Sequence, residues 1–414
     1  MGGSPRTEPS GLVHRFQLQA FGVPGYGNLW SASVAANVGR WMEQIAVGWI
    51  AFELTHSPFL VALIGFYRSL PLFLLGMFGG VLGDRYDRRR LVAILQFLNA
   101  AAMVVVAVLV LRGELAFWQL VAAELVMGVS QAFEWPSRRA LIVDVAGRAH
   151  LANAVALDAT ASNLSRAIGP LLAGALIQVF NPGSTVALLA GIYLVNGLLV
   201  LRIPTRNGAP VLVKNQGVLQ SLAAGFGHVL QDEAIVGVLV VTVWMNLLFF
   251  PYQQLLPVVA VDVLHSDSLG LGILGAADGV GSLIGTILLT MYVGSKRNGF
   301  YFWTGSLLGS VALLGFGLAR SLVLAAGLLL LGGLVRSGFS AYQSTIMLRN
   351  SSDEMRGRTM GVLTLAIGVG PFGSLEIGAL AQAFGAPGAI LLNAGLCTAL
   401  VGAAVARYRG MRAA

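Results

Sequence analysis

The sequence is poor in charged residues, cysteine and histidine, and each shortage excludes a class of protein. Only 11% of its 414 residues are charged, against roughly 25% in soluble domains. The single cysteine, Cys397, excludes an intrachain disulfide framework and a cysteine-ligated metal site. We expect no metal site and no cofactor, because all histidines fall in predicted loops or at interfaces. These are His14, His56, His150, His228 and His265.

Several functional motifs are also missing. No Gly-rich phosphate loop with a lysine is present, so ATP is not the expected energy source. A polytopic membrane enzyme would need a nucleophile with its base, or paired carboxylates in a metal motif, and the sequence offers neither. The net charge of +8 is spread over short segments, so nucleic acid is not an expected partner. The first stretch of the chain lacks the apolar core of a removable signal peptide.

Long apolar runs dominate the sequence. Hydrophobic residues make up 56% of the chain, and a helix needs about 20 apolar residues to cross a membrane. The runs and the charged or turn-rich breaks between them predict an all-α integral membrane protein with twelve transmembrane helices. The predicted crossings are 28–54, 58–83, 90–111, 115–137, 151–180, 185–201, 234–263, 269–293, 300–318, 322–347, 359–384 and 387–406.

The basic residues predict the orientation of these crossings. Twenty of the 26 Lys and Arg residues fall at one end of the predicted bundle when the N-terminus is placed inside. The external loops keep only Arg112 and Arg320. Because cytoplasmic loops hold an excess of Lys and Arg, we expect both termini in the cytoplasm of a cell with a bacterial-type inner membrane. The arginines inside crossings are Arg40, Arg68, Arg166 and Arg336.

The least hydrophobic internal stretch lies near the midpoint and predicts a cytoplasmic linker between two pseudo-symmetric six-helix bundles. A repeat supports this, because Gly174–Phe180 and Gly378–Phe384 agree at five of seven positions in equivalent predicted helices. Related halves are how many transporters build alternating access. The predicted segments are an N-terminal segment at 1–27, bundles at 28–202 and 232–406, the linker at 203–231, and a tail at 407–414.

The connection between the second and third crossings resembles a motif of the major facilitator superfamily. The family pattern is Gly, three residues, Asp-Arg, one residue, Gly, then two basic residues. The matching positions are Gly80, Asp84, Arg85, Arg88 and Arg89, and Asp87 stands where the second Gly would be. The resemblance implies a latch that holds the two halves together in the outward-open state. The alternative is an ordinary positive-inside loop.

The fifth crossing carries a second resemblance. Ser165–Gly174 is similar to the antiporter pattern Gly, three residues, Gly-Pro, two residues, Gly-Gly. Gly169, Pro170 and Gly174 match it, while Ser165 and Ala173 replace glycines. In the family this pattern favours export, although a small-residue packing face would use the same residues. The stretches 135–140 and 151–154 resemble the bacterial drug and siderophore exporter branch.

Polar and ionisable residues inside the first crossing are functional candidates, because such residues are costly in the membrane. They are Asn37, Arg40, Trp41, Glu43 and Gln44. Arg40 lies three residues before Glu43 and four before Gln44, so these side chains can meet on one helix face. By resemblance we expect this group to line a central cavity. The alternative is a pair that only packs helices.

In the fourth crossing, Glu124–Gly128 corresponds to a stretch where proton-coupled exporters often have an arginine. This chain has Glu124 instead. Burial favours the neutral form of a carboxyl group, so Glu124 or Glu43 is the predicted protonation site of a proton antiporter. Glu134, nearer the cytoplasmic end, is expected to pair with a loop arginine.

The second predicted bundle holds further candidates. Asp278, Arg336 and Glu376 can pair across helices, or Arg336 can meet an anionic substrate, and Asp278 is a further coupling candidate. In the seventh crossing, aromatic and amide side chains around Pro251 suit a broad apolar-aromatic substrate, although packing or lipid contact is the alternative. These side chains are Asn246, Phe249, Phe250, Tyr252, Gln253 and Gln254.

Together these observations predict a monomeric secondary transporter that exports small molecules, such as drugs or siderophores, in exchange for protons. Membrane lipids surround it. A lipid transporter, or a facilitator for one metabolite, is the alternative.

Overall fold

Helices make up almost all of the described chain, which comprises residues 19–85, 87–204, 227, 229–292, 297–352 and 354–413 of the computed structural model. A 3-10 turn at Gln19–Gly22 precedes a first set of helices: α1 (Tyr26–Thr55), α2 (Pro58–Arg85), α3 (Arg88–Arg112), α4 (Phe117–Val179) and α5 (Pro182–Leu201). The second set is α6 (Glu233–Trp244), α7 (Ser268–Tyr292), α8 (Asn298–Leu318), α9 (Leu322–Arg349), α10 (Arg356–Ile367), α11 (Gly370–Arg407) and α12 (Arg409–Ala413). Most of the predicted N-terminal segment and linker lies outside the described residues.

The chain between α6 and α7 is helical but irregular. It runs through π turns at Met245–Phe249 and Val259–Val263, with a 3-10 turn at Phe250–Leu255 and a short α turn at Leu256–Val258 between them. Pro251 and Pro257 lie in this stretch and have no N–H to donate, so a regular hydrogen-bond ladder cannot run through it.

Two of the helical ranges contain a break at glycine. The range α4 spans 63 residues, which is about three times the length needed to cross a bilayer. Gly147 within it is non-helical, with φ 65° and ψ 170°. Gly385 within α11 has φ 75° and ψ 160°. Such positive φ values favour glycine, and each range therefore consists of two helical segments.

Within the described residues, nine helical ranges are long and apolar enough to cross a membrane. Large apolar side chains are exposed around them, among them Val323 at 85%, Val179 at 71% and Trp118 at 68%. A protein in water would not expose so many, whereas lipid tails cover them without cost. The prediction of an all-helical membrane protein is confirmed.

Helices α1–α5 pack mainly on one another, as do α6–α12, and the two sets meet chiefly where α7 packs on α4 and α11 packs on α2. The α4–α7 contact needs glycine. A Cβ on Gly174 would lie 2.4 Å from the Ser268 carbonyl oxygen, and one on Gly279 would lie 2.4 Å from that of Arg166. At the same end of the molecule, the side chains of Ser57 and Gln382 are hydrogen-bonded at 3.0 Å. We call this end, which carries the connections at 56–57 and 264–267, the closed end.

Candidate functional site

Two buried carboxyl groups and one arginine form a cluster, the Arg68 cluster, inside the first set of helices. Arg68 Nη1 of α2 lies 2.8 Å from Glu43 Oε1 of α1, and Arg68 Nε lies 3.9 Å from Glu124 Oε2 of α4. Tyr193 of α5 donates its hydroxyl hydrogen to Glu43 Oε2 at 2.5 Å. Glu43 and Glu124 are only 2% and 3% exposed. Four helices thus converge on one ionic group.

The charge of the Arg68 cluster is unbalanced. One guanidinium faces two carboxyl groups, and Glu43 and Glu124 also interact with each other. With both carboxyl groups ionised, the cluster has one uncompensated negative charge, which is costly when buried. A single proton on either carboxyl group makes the cluster neutral. The cluster can therefore take up one proton and release it again, and it is neutral while the proton is bound.

The alternative considered for the first crossing, a pair between Arg40 and Glu43, is not what the structure contains. Arg40 Nη2 donates instead to Asn37 Oδ1 at 2.9 Å, and its guanidinium lies 5.7 Å from the ring centroids of both Trp41 and Trp135. Glu43 turns to Arg68 on the neighbouring helix, where Tyr193 adds a further hydrogen bond. Helical spacing within α1 does not reveal that partner.

A second ionic group, the Asp278 bridge, joins the two sets of helices. Arg166 Nη2 of α4 lies 2.5 Å from Asp278 Oδ2 of α7, and Arg336 Nη2 of α9 lies 3.0 Å from Asp278 Oδ1. The Arg166 guanidinium lies 5.1 Å from the ring centroid of Trp41, and that of Arg336 lies 5.2 Å from that of Phe250. Of the two alternatives for Arg336, the structure contains the ion pair. Arg166 was not expected as a partner of Asp278.

Two other carboxylates have local partners. Glu376 accepts a hydrogen bond of 2.7 Å from Asn393, which lies in the segment of α11 beyond the break at Gly385. Glu134 pairs with Arg138 at 2.5 Å. The sequence assigned Arg138 to a loop, but it lies within α4 and is buried, four residues after Glu134.

A cavity of about 520 Å³ lies among the helices of the first set. Asn37, Arg40, Arg68, Trp135 and Tyr193 are among its lining residues, so it touches the Arg68 cluster. Much of the rest of the lining comes from α4 on either side of Gly147, far from the closed end.

The other predicted cavity residues lie elsewhere. Trp41 packs against Gly169 and Arg166, and Gln44 lies partly exposed on α1. Asn246 donates to the Thr242 carbonyl oxygen at 2.9 Å. The lining of this cavity does not include them, nor does it include the remaining candidates, Phe250, Gln253 and Arg336.

The two motif regions have distinct surroundings. Gly169, Pro170 and Gly174 form the face of α4 that meets Trp41 and α7. At the other motif, Arg88 Nη1 lies 2.8 Å from Asp144 Oδ2, and Arg89 Nη1 donates to the carbonyl oxygens of Leu201 and Ile203.

Asp87, which replaces the family glycine, caps α3 by accepting from the backbone N–H groups of Arg89 and Arg90. Gly80, Asp84 and Arg85 lie in the last turns of α2. Their side chains fall outside the described part of the structure. The described residues contain no group of three or more His, Cys, Asp or Glu that could hold a metal ion.

Known transporters resemble this chain over most of its length. The sequence profile of the family described as "Transmembrane secretion effector" matches residues 18–413. The staphyloferrin A transporter of Staphylococcus aureus is 24% identical over 364 residues, which cover 86% of this chain and 89% of that protein. The multidrug efflux pump Tap of Mycolicibacterium fortuitum is 23% identical over 366 residues, covering 86% and 88%.

The fold also matches solved structures. A POT family transporter in complex with a thioalcohol conjugated peptide superposes with a TM-score of 0.74. The sequences are 11% identical, and the match covers 95% of this chain and 99% of that one. At this identity the likeness shows the fold alone.

Proposed function

This chain belongs to the transmembrane secretion effector family of the major facilitator superfamily, and on that premise we propose that it exports small molecules in exchange for protons. It is a membrane transporter and not an enzyme. The Arg68 cluster is the observation that carries the proton coupling. The relatives named for drug efflux and for staphyloferrin A support small organic molecules, such as drugs or siderophores, as substrates.

We propose twelve crossings in two six-helix bundles, 28–202 and 232–406, joined by the linker at 203–231. The breaks at Gly147 and Gly385 support this, because they divide two of the nine candidate spans into two segments each. Helix α1, whose 30 residues include Arg40 and Glu43, completes the set. The arginine-rich connections support an inner-membrane location with both termini in the cytoplasm.

We propose that Glu43 and Glu124 share the transported proton. Arg68 holds both carboxyl groups on one side of the cavity, so loss or gain of the proton changes the charge that a substrate in the cavity meets. Substrate binding and proton binding are then linked through one cluster, and linkage of this kind is reciprocal. Asp278 is a second coupling residue, because its protonation would release Arg166 and Arg336.

Alternating access accounts for the distribution of contacts. At the closed end, glycines of α4 and α7 bring the two sets of helices into backbone contact. The cavity lies toward the opposite end, which we place in the cytoplasm. Export then requires that the closed end opens, that the Asp278 bridge breaks, and that the motif at 80–89 latches the cytoplasmic end. The protein acts as a monomer, since one chain contains both of the proposed six-helix bundles.

Efflux from proteoliposomes tests the proposal. Purified protein is reconstituted, the vesicles are loaded with a panel of fluorescent cationic drugs and catecholate siderophores, and efflux is followed with and without an imposed pH gradient. Gradient-dependent efflux of at least one compound is expected. Efflux that ignores the gradient would favour a facilitator, and no efflux of any compound would withdraw drug and siderophore export in favour of a lipid or one specific metabolite.

A further inference from the structure

We propose that the 520 Å³ cavity binds an organic anion, with an acidic group of the substrate held by Arg40 and Arg139 and its planar part against Trp135. This inference rests on the proposed export function and names the substrate class. It follows from the charges that line the cavity.

Four arginines line the cavity, and two of them already have partners. Arg68 is ion-paired with Glu43, and Arg138 with Glu134. Arg40 and Arg139 make no ion pair with a carboxylate of the described chain. Apart from the Arg40 Nη2 hydrogen bond to Asn37, the N–H groups of these two guanidinium groups remain available to a ligand.

The acidic residues of the lining do not offset these two charges. Glu134 is neutralised by Arg138, which leaves Asp158 as the other lining carboxylate. While the Arg68 cluster holds one proton and is neutral, two available guanidinium groups against one carboxylate give the cavity an excess of positive charge. A cavity with low-dielectric walls concentrates ions of the opposite sign, so this excess selects for anions.

Trp135 places the two available arginines on a common surface. The guanidinium carbons of Arg40 and Arg139 each lie 5.7 Å from the centroid of its ring, and the residue is 43% exposed. Guanidinium groups bind carboxylates through paired hydrogen bonds, while the indole face offers a flat apolar contact. Together they fit a planar molecule with an acidic substituent.

Unsatisfied amides on the facing helix supply a second, independent sign of a ligand. Gln96 of α3 lines the cavity and is fully buried, yet neither its Nε2 nor its Oε1 has a hydrogen-bond partner in the described structure. Asn99, one turn further along, is 4% exposed with an unpartnered Oδ1. Buried polar groups are ordinarily paired, and a polar ligand or bridging water would satisfy these. The volume is in the range of about 300–1,000 Å³ that holds small-molecule ligands.

The test uses two dyes that share a xanthene ring and differ in charge: anionic carboxyfluorescein and a cationic rhodamine ester. Proteoliposomes are loaded with either dye, and an inside-negative potential is set with potassium and valinomycin. We expect efflux of carboxyfluorescein, accelerated by the potential, because an anion moving out and a proton moving in shift charge in the same direction. The cationic dye is expected to stay inside.

Three variants connect the result to the cavity. Arg139→Gln is expected to slow carboxyfluorescein efflux by about tenfold, since it removes one charged hydrogen-bonding group. Arg139 is exposed, so this change leaves folding intact. Asp158→Asn is expected to maintain or increase the rate, whereas it would abolish transport of a cation. Arg112→Gln, which removes an exposed arginine outside the cavity, is the matched control and is expected to change nothing.

The outcomes separate this inference from the proposed function. Efflux of the rhodamine ester alone, lost in Asp158→Asn, would overturn the anion inference and leave export standing. If neither dye moves, the protein does not export these compounds. The anion inference is then tested by binding of carboxyfluorescein to the protein in detergent, measured by tryptophan fluorescence. Saturable quenching by carboxyfluorescein that weakens in Arg40→Gln and is reduced in Trp135→Phe would support it. Absence of saturable quenching would overturn it.

Discussion

At the scale of single residues, Arg68 determines the charge balance of the first set of helices. It is the described cation that contacts both Glu43 and Glu124, and it also lines the cavity. A residue in this position can report substrate occupancy to the carboxyl groups, because any shift of its guanidinium toward a ligand weakens the ion pairs behind it.

Replacing Glu124 by Gln is expected to uncouple transport from protons. The amide retains the shape of the side chain but cannot exchange a proton, so gradient-driven efflux should fall by about tenfold or more, a typical size for coupling between sites. Exchange of substrate at equal pH should persist. Glu114→Gln, at an exposed position before α4, is the control. Full gradient-driven efflux in Glu124→Gln would exclude this residue as the proton site.

Replacing Arg68 by Met is expected to destabilise the protein. Both carboxyl groups would then lack their cation, which costs about 3–5 kcal/mol for a fully buried pair. Because the Arg68 side chain is 18% exposed, water offsets part of this, and we expect a loss of about 1–3 kcal/mol. Thermal unfolding in detergent measures it, with Arg112→Met as the control. An unchanged melting temperature would contradict a buried ion pair.

The residue scale is also where sequence reasoning was weakest. It identified Glu43, Glu124, Asp278 and Arg336, because ionisable residues stand out in apolar helices. Spacing along α1 left a pair between Arg40 and Glu43 as one alternative, whereas Glu43 pairs with Arg68 on α2. Contacts between helices depend on their rotation and relative height, and local spacing carries neither.

At the scale of helices and connections, glycine fixes both the breaks and the closest contacts. The sequence predicted crossings at 115–137 and 151–180, and the structure has one helical range whose direction changes at Gly147. Apolar runs located most of the long helices. They could not show that helical geometry continues past residue 137 into the arginine-rich connection, because charged residues form helices readily once they are clear of lipid.

Replacing Gly147 by Ala is expected to lower stability by about 1–3 kcal/mol, the cost of holding a residue with a Cβ in a sparsely populated backbone conformation. Space is not the reason, since no atom lies within 4 Å of the new Cβ. Gly402→Ala in α11 is the matched control, because its surroundings are equally open and its φ is ordinary. That change should be neutral or stabilising by about 1 kcal/mol. Equal melting temperatures for the two variants would contradict this view of Gly147.

Cross-linking of the connection between α1 and α2 to α11 is expected to stop transport. In a Cys397→Ser background, Ser57→Cys and Gln382→Cys place two thiols where the native side chains are hydrogen-bonded at 3.0 Å. A short bifunctional thiol reagent should join them, hold the closed end shut, and block efflux, while either single variant should remain active. Efflux that continues in the cross-linked protein would show that this end does not open during the cycle.

A pair at the opposite end provides the reciprocal control. In the antiparallel contact of α4 with α7, Arg166 faces Gly279 and Pro170 faces Gly275. If this register is continued along both helices, Val155 lies opposite Thr290. We expect these two residues to approach each other when the cytoplasmic end closes. Cysteines at these two positions should cross-link poorly at rest and more readily during transport.

At the scale of the whole molecule, the Asp278 bridge connects the two proposed halves. Arg166 belongs to the first set of helices and Arg336 to the second, and both contact the same carboxylate. Since Asp278 is 5% exposed, separating Arg166 from it requires water, a proton or a substrate to replace the lost partner. In the proposed cycle, this requirement would resist opening of the closed end while no substrate or proton is bound.

The general architecture was the part most accessible from the sequence. Apolar content and run length establish a multi-pass helical membrane protein, and the motifs at 80–89 and 165–174 led to the superfamily that the family comparison confirms. The number of crossings and the position of the termini stay predictions. The cavity was foreseeable only in part: Asn37 and Arg40 were expected to line a cavity, but the full lining combines residues from five separate helices.

The most direct test of proton-coupled export follows both fluxes at once. Proteoliposomes contain a pH-sensitive dye and a compound that the efflux panel has shown to move, and proton entry is recorded while the compound leaves. We expect protons to enter in step with efflux. The double variant Glu43→Gln/Glu124→Gln is expected to abolish proton entry. Efflux at the same rate with no movement of protons would contradict the exchange mechanism and leave a facilitator.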